Sequence, residues 1–156
     1  MRPEQALNII AGQCSKKEMC CKDVRQKLIK WELPEEDIQK IMSFLLEHKF
    51  IDDKRFACIY TEDKFRFNHW GKQKIGMMLR QKGISQDIID EASSIIPSNN
   101  YIDHCLELLQ QKYRTITESD PYKLKAKLTR FALSKGFDYD TISKCLSQLL
   151  SDEHLF

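Results

Sequence analysis

No apolar run in this chain approaches the roughly 20 residues needed to cross a bilayer. Its start, "MRPEQALNII", has neither the long apolar region nor the small-residue cleavage site of a signal peptide. A cytoplasmic protein with no membrane contact is therefore expected. Zinc-type cysteine spacing is missing too. Cys14, Cys20, Cys21, Cys58, Cys105 and Cys145 contain no C-x-x-C pair, and adjacent Cys20 and Cys21 cannot easily aim both sulfurs at one ion. Most of these cysteines sit at helix-period positions beside Leu and Ile, as small buried hydrophobes would, so thiols in a reducing compartment are expected. The stretch "NHWGKQKIGMMLRQKGI" (68–84) is no phosphate-binding loop, because Arg66 stands where its first glycine belongs and Gln73 where its hydroxyl belongs. His48, His69, His104 and His154 are scattered, with no nucleophile and acid at a catalytic spacing. Neither an enzyme nor a cofactor nor a metal site is expected.

What the chain does have is helical periodicity. Leu7, Ile10, Ala11 and Cys14 recur at i, i+3, i+4, i+7, as do Ile38, Ile41, Met42 and Leu45, and Ile142, Cys145, Leu146 and Leu149. No Asn-Gly or Asp-Gly turn separates alternating runs, so hairpins have no support. The fold is all-α. Its boundaries have chemical causes: Asp120-Pro121 supplies a cap followed by proline at the first helical position. Gly83 and Gly136 follow basic helices, where a left-handed residue is favoured, and Ser85 and Asp138 can cap the helices after them. Asp52 can cap the helix that begins near Asp53, and Ser15 with Glu18 reads as a capping box.

Self-comparison adds a larger period. In "VRQKLIKWELPEEDI" (24–38), "IGMMLRQKGISQDII" (75–89) and "LTRFALSKGFDYDTI" (128–142), four apolar sets coincide. They are Val24, Ile75 and Leu128; Leu28, Leu79 and Ala132; Leu33, Ile84 and Phe137; and Ile38, Ile89 and Ile142. The offsets, 51 and 53 residues, hold three helices each. Three tandem three-helix repeats are expected, at 1–50, 51–98 and 99–156. Each is too small to bury much surface alone, so they should stack into an elongated, curved body.

Net charge is only +2, but the signs are segregated. Six Lys or Arg and no acid lie from Lys64 to Gln86, and five and none from Pro121 to Phe137. In every copy the middle helix is the basic one. Such a row suits a long acidic partner, such as nucleic acid or a protein filament coating it, while a charge run is equally the wet side of a helix. The residues alone leave both open. A basic helix, the Gly83 turn and a further helix could also pass for a helix-turn-helix, though "SQDIIDEASSII" (85–96) is acidic and apolar, a poor reader of a major groove.

The run "KFIDDKRFA" (49–57) followed by "WGKQKIGMMLRQKGI" (70–84) closely resembles the signature of RecX proteins, regulators of the RecA recombinase. "ALNIIAGQCSKKEMCCKDVRQKLIKW" resembles that family's first repeat and "KLTRFALSKGFDYDTI" its last, so the likeness spans nearly the whole chain. It implies tandem three-helix repeats, matching the self-alignment. It also implies a monomer that lies in the groove of the RecA filament on single-stranded DNA and limits ATP hydrolysis, strand exchange and co-protease activity. This bears on recombination, DNA repair and the SOS response. Weak binding to single- or double-stranded DNA is compatible with that role, and a sequence-independent DNA-binding repeat protein is the alternative. The best candidates for its contact residues are Lys72, Lys74, Arg80 and Lys82, with Arg25, Lys27, Lys123, Lys127 and Arg130 as matching positions in the outer repeats. Trp70 and Phe67 are candidates for stacking, and Phe56 and Leu79 for the core. The first repeat departs from the pattern, having Trp31 and Glu32 where Lys82 and Gly83 fall.

Overall fold

The computed structural model describes the backbone of residues 1–154 and side chains as far as Ser151. Positions 155 and 156, the end of the expected third repeat, lie outside the described residues, as does the side chain of His154. Among the described residues there are nine helices and no strand. They are α1 (Pro3–Lys16), α2 (Cys21–Lys30), α3 (Glu35–Glu47), α4 (Asp53–Phe67), α5 (Lys72–Gln81), α6 (Gln86–Ser94), α7 (Ser98–Tyr113), α8 (Pro121–Ser134) and α9 (Tyr139–His154).

Helix packing falls within consecutive trios: α3 on α1 and α2, α4, α5 and α6 on one another, and α7, α8 and α9 likewise. Each trio closes its own core. The first gathers Ile10, Leu28, Ile38 and Leu45; the second Phe56, Ile75, Leu79 and Ile89; the third Leu109, Leu128, Phe137 and Ile142. All twelve residues of the four coincident sets are buried. At about 1.5–3 kcal/mol for each fully buried aliphatic side chain, this recurrent set is the main force closing a trio. The six cysteines are free thiols, and Cys14, Cys20, Cys105 and Cys145 are buried as small hydrophobes.

Every middle helix ends in the same left-handed turn. Gly83 (φ 76°) donates to the Arg80 carbonyl at 3.0 Å, and Ile84 to Leu79 at 3.1 Å. Gly136 (φ 96°) donates to Leu133 at 2.9 Å, and Phe137 to Ala132 at 3.2 Å. The first trio builds this turn without glycine. Glu32 takes φ 62° and donates to Ile29 at 2.9 Å, while Leu33 reaches Leu28 at 3.4 Å. The apolar residue after each turn is buried, and that burial holds Glu32 in a conformation L-residues disfavour.

Most caps fall where the sequence places them. Asp120 accepts from Tyr122 N at 2.9 Å, Asp138 from Thr141 N at 3.0 Å, and Asp52 from Lys54 N and Arg55 N at 3.0 and 3.2 Å. Ser85 is an N-cap by position but makes no side-chain capping bond. The Ser15–Glu18 capping box is absent. Ser15 lies in the last turn of α1 and donates to the Ala11 carbonyl at 3.0 Å, since α1 runs on to Lys16. Glu18 instead pairs with Arg55 at 2.9 Å.

The trios join in series by one recurring contact: the first turn of a middle helix sits on the turn that ends the next middle helix. Between the second and third trios, Gly71 N donates to Lys135 O at 2.7 Å and Gln73 N to Gly136 O at 3.1 Å. Between the first and second, the same position is bridged by side chains. Lys22 Nζ donates to Gln81 O at 2.8 Å and Lys82 Nζ pairs with Asp23 at 2.9 Å. Between the second and third trios, amides at one helix start meet carbonyls at another's end, so those two helix dipoles follow head to tail. Among the described residues, no hydrogen bond or ion pair joins the first trio to the third.

Candidate functional site

Two basic depressions form at the two junctions. The first, a cleft of about 720 Å³, lies where α5 passes the α8–α9 turn. Lys72, Gly76 and Arg80 are spaced four apart along α5 and line it together, with Lys74 beside Gly136. These side chains are held by the junction itself. The Lys72 amide donates to the Tyr101 hydroxyl at 2.9 Å, and its ammonium sits 4.8 Å from that ring's centre. Burial pushes the Tyr101 phenol up to about 12, so it stays a neutral cap at the α5 start. The Lys74 ammonium lies 4.6 Å from the Trp70 ring, which Lys64 approaches at 5.2 Å. Trp70 is half-buried and packs on the second core, while Phe67 is exposed. Arg80 donates to Gln86 Oε1 at 3.2 Å. Among the described residues, the one carboxylate lining the cleft is Asp90.

The second depression, a groove of about 990 Å³, lies between the first and second trios. Lys16, Lys17, Lys27, Lys30, Lys64 and Lys82 line it over a floor that includes Phe56 and Tyr60. Three acids share it, and two are committed: Glu18 to Arg55, and Asp23 to Lys82. Burial works to raise the Asp23 carboxyl, but the bonds from Lys82 and Cys20, with the charges of Lys82 and Lys22, together hold it below its ordinary value. The bond to Asp23 raises the Lys82 amine in turn.

The nine candidate cations do not form one surface. Lys72, Lys74 and Arg80 converge in the cleft. Lys82 faces the other junction, and Lys27 is beside it in the groove, donating to Gln13 at 2.7 Å. Arg25 is paired with Glu35 on α3. Lys127 pairs with Glu118 at 3.2 Å and shares a shallow hollow with Arg130 and Lys112. Lys123 is exposed away from these sites. Read along the repeat, only Lys127 of the five outer-repeat candidates stands at a middle-repeat candidate position, that of Lys74. Sequence reasoning missed Lys16, Lys17 and Lys64 as members of the groove. The doublet Lys16-Lys17 at a helix end was the available signal; Lys64 gave none, because only the junction brings α4 to α1.

The "IDDKRFA" residues serve the junction. Asp52 caps α4, and Asp53 reaches across to accept from Cys21 N at 2.9 Å, capping α2 of the first trio. Arg55 binds Glu18 and the carbonyls of Lys49 and Phe50 at 3.1 and 3.3 Å. The helix after the Gly83 turn carries Asp87, Asp90 and Glu91, which disfavours its lying in a DNA groove. Among the described residues no cluster of three His, Cys, Asp or Glu could hold a metal, and no helix is long and apolar enough to cross a membrane.

Comparison with known proteins places this geometry. A family model described as RecX, second three-helix domain, matches residues 52–92, and one described as RecX, third three-helix domain, matches 99–146. The chain is 41% identical over 134 residues to "Regulatory protein RecX" of Clostridium botulinum, covering 85% of this chain and 62% of that protein. The protein of the same name from Clostridioides difficile is 30% identical over 153 residues, 96% of this chain and 69% of that one. The chain thus spans under two thirds of the C. botulinum relative's length. A crystal structure of RecX from Lactobacillus salivarius superposes with a TM-score of 0.87 at 22% identity, over 94% of this chain and 96% of that one.

Proposed function

Because the chain belongs to the RecX family of regulatory proteins, we propose that it is a non-catalytic inhibitor of the RecA recombinase, lying in the groove of the RecA filament on single-stranded DNA. Three units, 1–50, 51–98 and 99–156, each engage a different stretch of the filament, so modest contacts combine through their linkage. By bridging successive protomers the protein limits filament growth and ATP turnover in the cytoplasm, and so modulates recombination, repair and the SOS response. The observation that carries this reading is the recurring junction, which repeats a basic depression along the chain: the cleft at α5 and the groove of lysines beside it. Cations of this kind bind an acidic polymer with marked salt dependence.

The test is RecA's single-strand-dependent ATPase with and without the full chain. Turnover should fall as the protein is added, and less so as salt is raised. Unchanged turnover at saturating protein, with no filament binding, removes the proposal. Tighter binding to bare duplex than to RecA-coated single strands would favour a general DNA-binding role instead.

A further inference from the structure

A third depression differs in chemistry from the two basic ones. It is a pocket of about 460 Å³ between α4, α6 and the start of α7, within the size range of ligand sites. Phe65, Ile95 and Ile96 give it apolar walls, and Ile95 is 60% exposed, a large aliphatic left in water at the lip. Thr61 lines it as well. That residue is 2% exposed, and its hydroxyl oxygen, closed off from solvent in the free protein, has no hydrogen-bond partner among the described residues. A buried hydroxyl without a partner is costly, and a guest whose entry opens this wall gains a hydrogen bond there.

The rim has the opposite sign to the other two depressions. Glu62, Asp103 and Glu107 stand there against Arg66, which is paired with Glu62 at 3.2 Å. Asp103 and Glu107 lie one turn apart on α7 and make no ion pair among the described residues. Between them His104 offers no positive charge at neutral pH, because burial, then the neighbouring His69, hold its imidazole below the usual range. A neutral or anionic guest would leave these carboxylates without a counterpart.

We infer that this pocket is a docking site for a partner-protein segment that inserts one aliphatic side chain between Phe65 and Ile95, sets an adjacent Lys or Arg against Asp103 and Glu107, and hydrogen-bonds Thr61 through its backbone. Apolar walls take the side chain, the unpaired rim selects a cation, and the Thr61 hydroxyl fixes orientation. The site takes a basic, apolar sequence, so its occupant is distinct from the acidic polymer of the cleft and groove.

The experiment is an amide NMR titration of the full chain with N-acetyl-leucyl-arginine amide, its leucyl-glutamate analogue, and 3-methylbutylamine. The arginine peptide should move the amides of Thr61, Ile95 and His104 saturably. The glutamate peptide should bind at least about fivefold more weakly, as expected when one charge contact is reversed. Thr61→Val should weaken the arginine peptide by about fivefold while leaving Tm unchanged or higher, a pair of effects that a purely structural threonine does not give. Joint replacement Asp103→Asn and Glu107→Gln should erase the preference for arginine. Absent or scattered perturbation, equal binding of the two peptides, or a Thr61→Val variant with lower Tm and unaltered affinity would overturn the proposal. Binding of the simple amine as tight as that of the peptide would also overturn it, in favour of a small-molecule site.

Discussion

Gly71 and Gly136 meet backbone to backbone, and a Cβ on Gly71 would land on the Gly136 carbonyl. The start of α5 is thereby sealed onto the end of α8, with Gly71 N on Lys135 O at 2.7 Å. The contact between the first and second trios has side chains in the same place, with Cys20 at the position of Gly71.

Gly71→Ala should therefore lower stability by about 1–3 kcal/mol, the range for forcing atoms into a packed interface. A Cβ at Gly136 would strike the backbone of Lys74, so Gly136→Ala should lose at least as much, with its φ of 96° adding strain. Chemical denaturation checks both. Wild-type stability in either variant would mean that the junction is not close-packed.

Glu32→Gly should do the reverse. Relieving a left-handed L-residue gains about 1–2 kcal/mol, and the looser unfolded chain returns part of it, leaving a net gain of about 0.5–1 kcal/mol. Gly83→Ala, at the equivalent turn of the second trio, should destabilise instead. Denaturation midpoints of the two variants should move in opposite directions.

Replacing Lys72, Lys74 and Arg80 together with alanine should weaken inhibition of RecA's ATPase by about tenfold or more at moderate salt, since three unshared cations leave one cleft. Far-ultraviolet circular dichroism should be unchanged, because none of the three is in an ion pair among the described residues. Lys40→Ala, on the surface of α3 and paired with Glu36, is the control. Intact inhibition by the triple variant would show that the cleft is not the contact.

A pH effect is expected at His104. Its Nε2 lies 2.9 Å from His69 Nδ1, the rings are stacked, and Phe65 covers the imidazole. Burial first, and then His69, depress its pKa, against opposing contributions from Glu107 and the Phe65 backbone. The unfolded chain therefore takes up this proton first as pH falls through the ordinary value of 6.5, and stability declines below that point until the folded imidazole protonates as well. The difference in Tm between the parent and His104→Gln, followed from about pH 8 to 5.5, should shrink or reverse towards acid. A constant difference would show that His104 does not titrate differently on folding.

The sequence alone determined the trio and its repetition. An apolar side chain recurring at helix period, followed by a left-handed turn and another apolar residue, can be satisfied only by burial. Hence Val24, Ile75 and Leu128 and the sets that follow them are all core. Caps such as Asp52, Asp120 and Asp138 were legible because their bonds are local. Where several donors and acceptors were within reach, as at Ser15, the choice depended on how far α1 continued.

Only tertiary structure decided which cations share a surface. A charge is tolerated on any wet face, so no pattern in sequence ties Lys82 to Asp23 or separates it from Lys72. Nor does any sequence pattern show that Asp53 caps a helix of the preceding trio. Those relations follow from the way a helix start seats on a neighbouring turn, a contact between residues far apart in the chain.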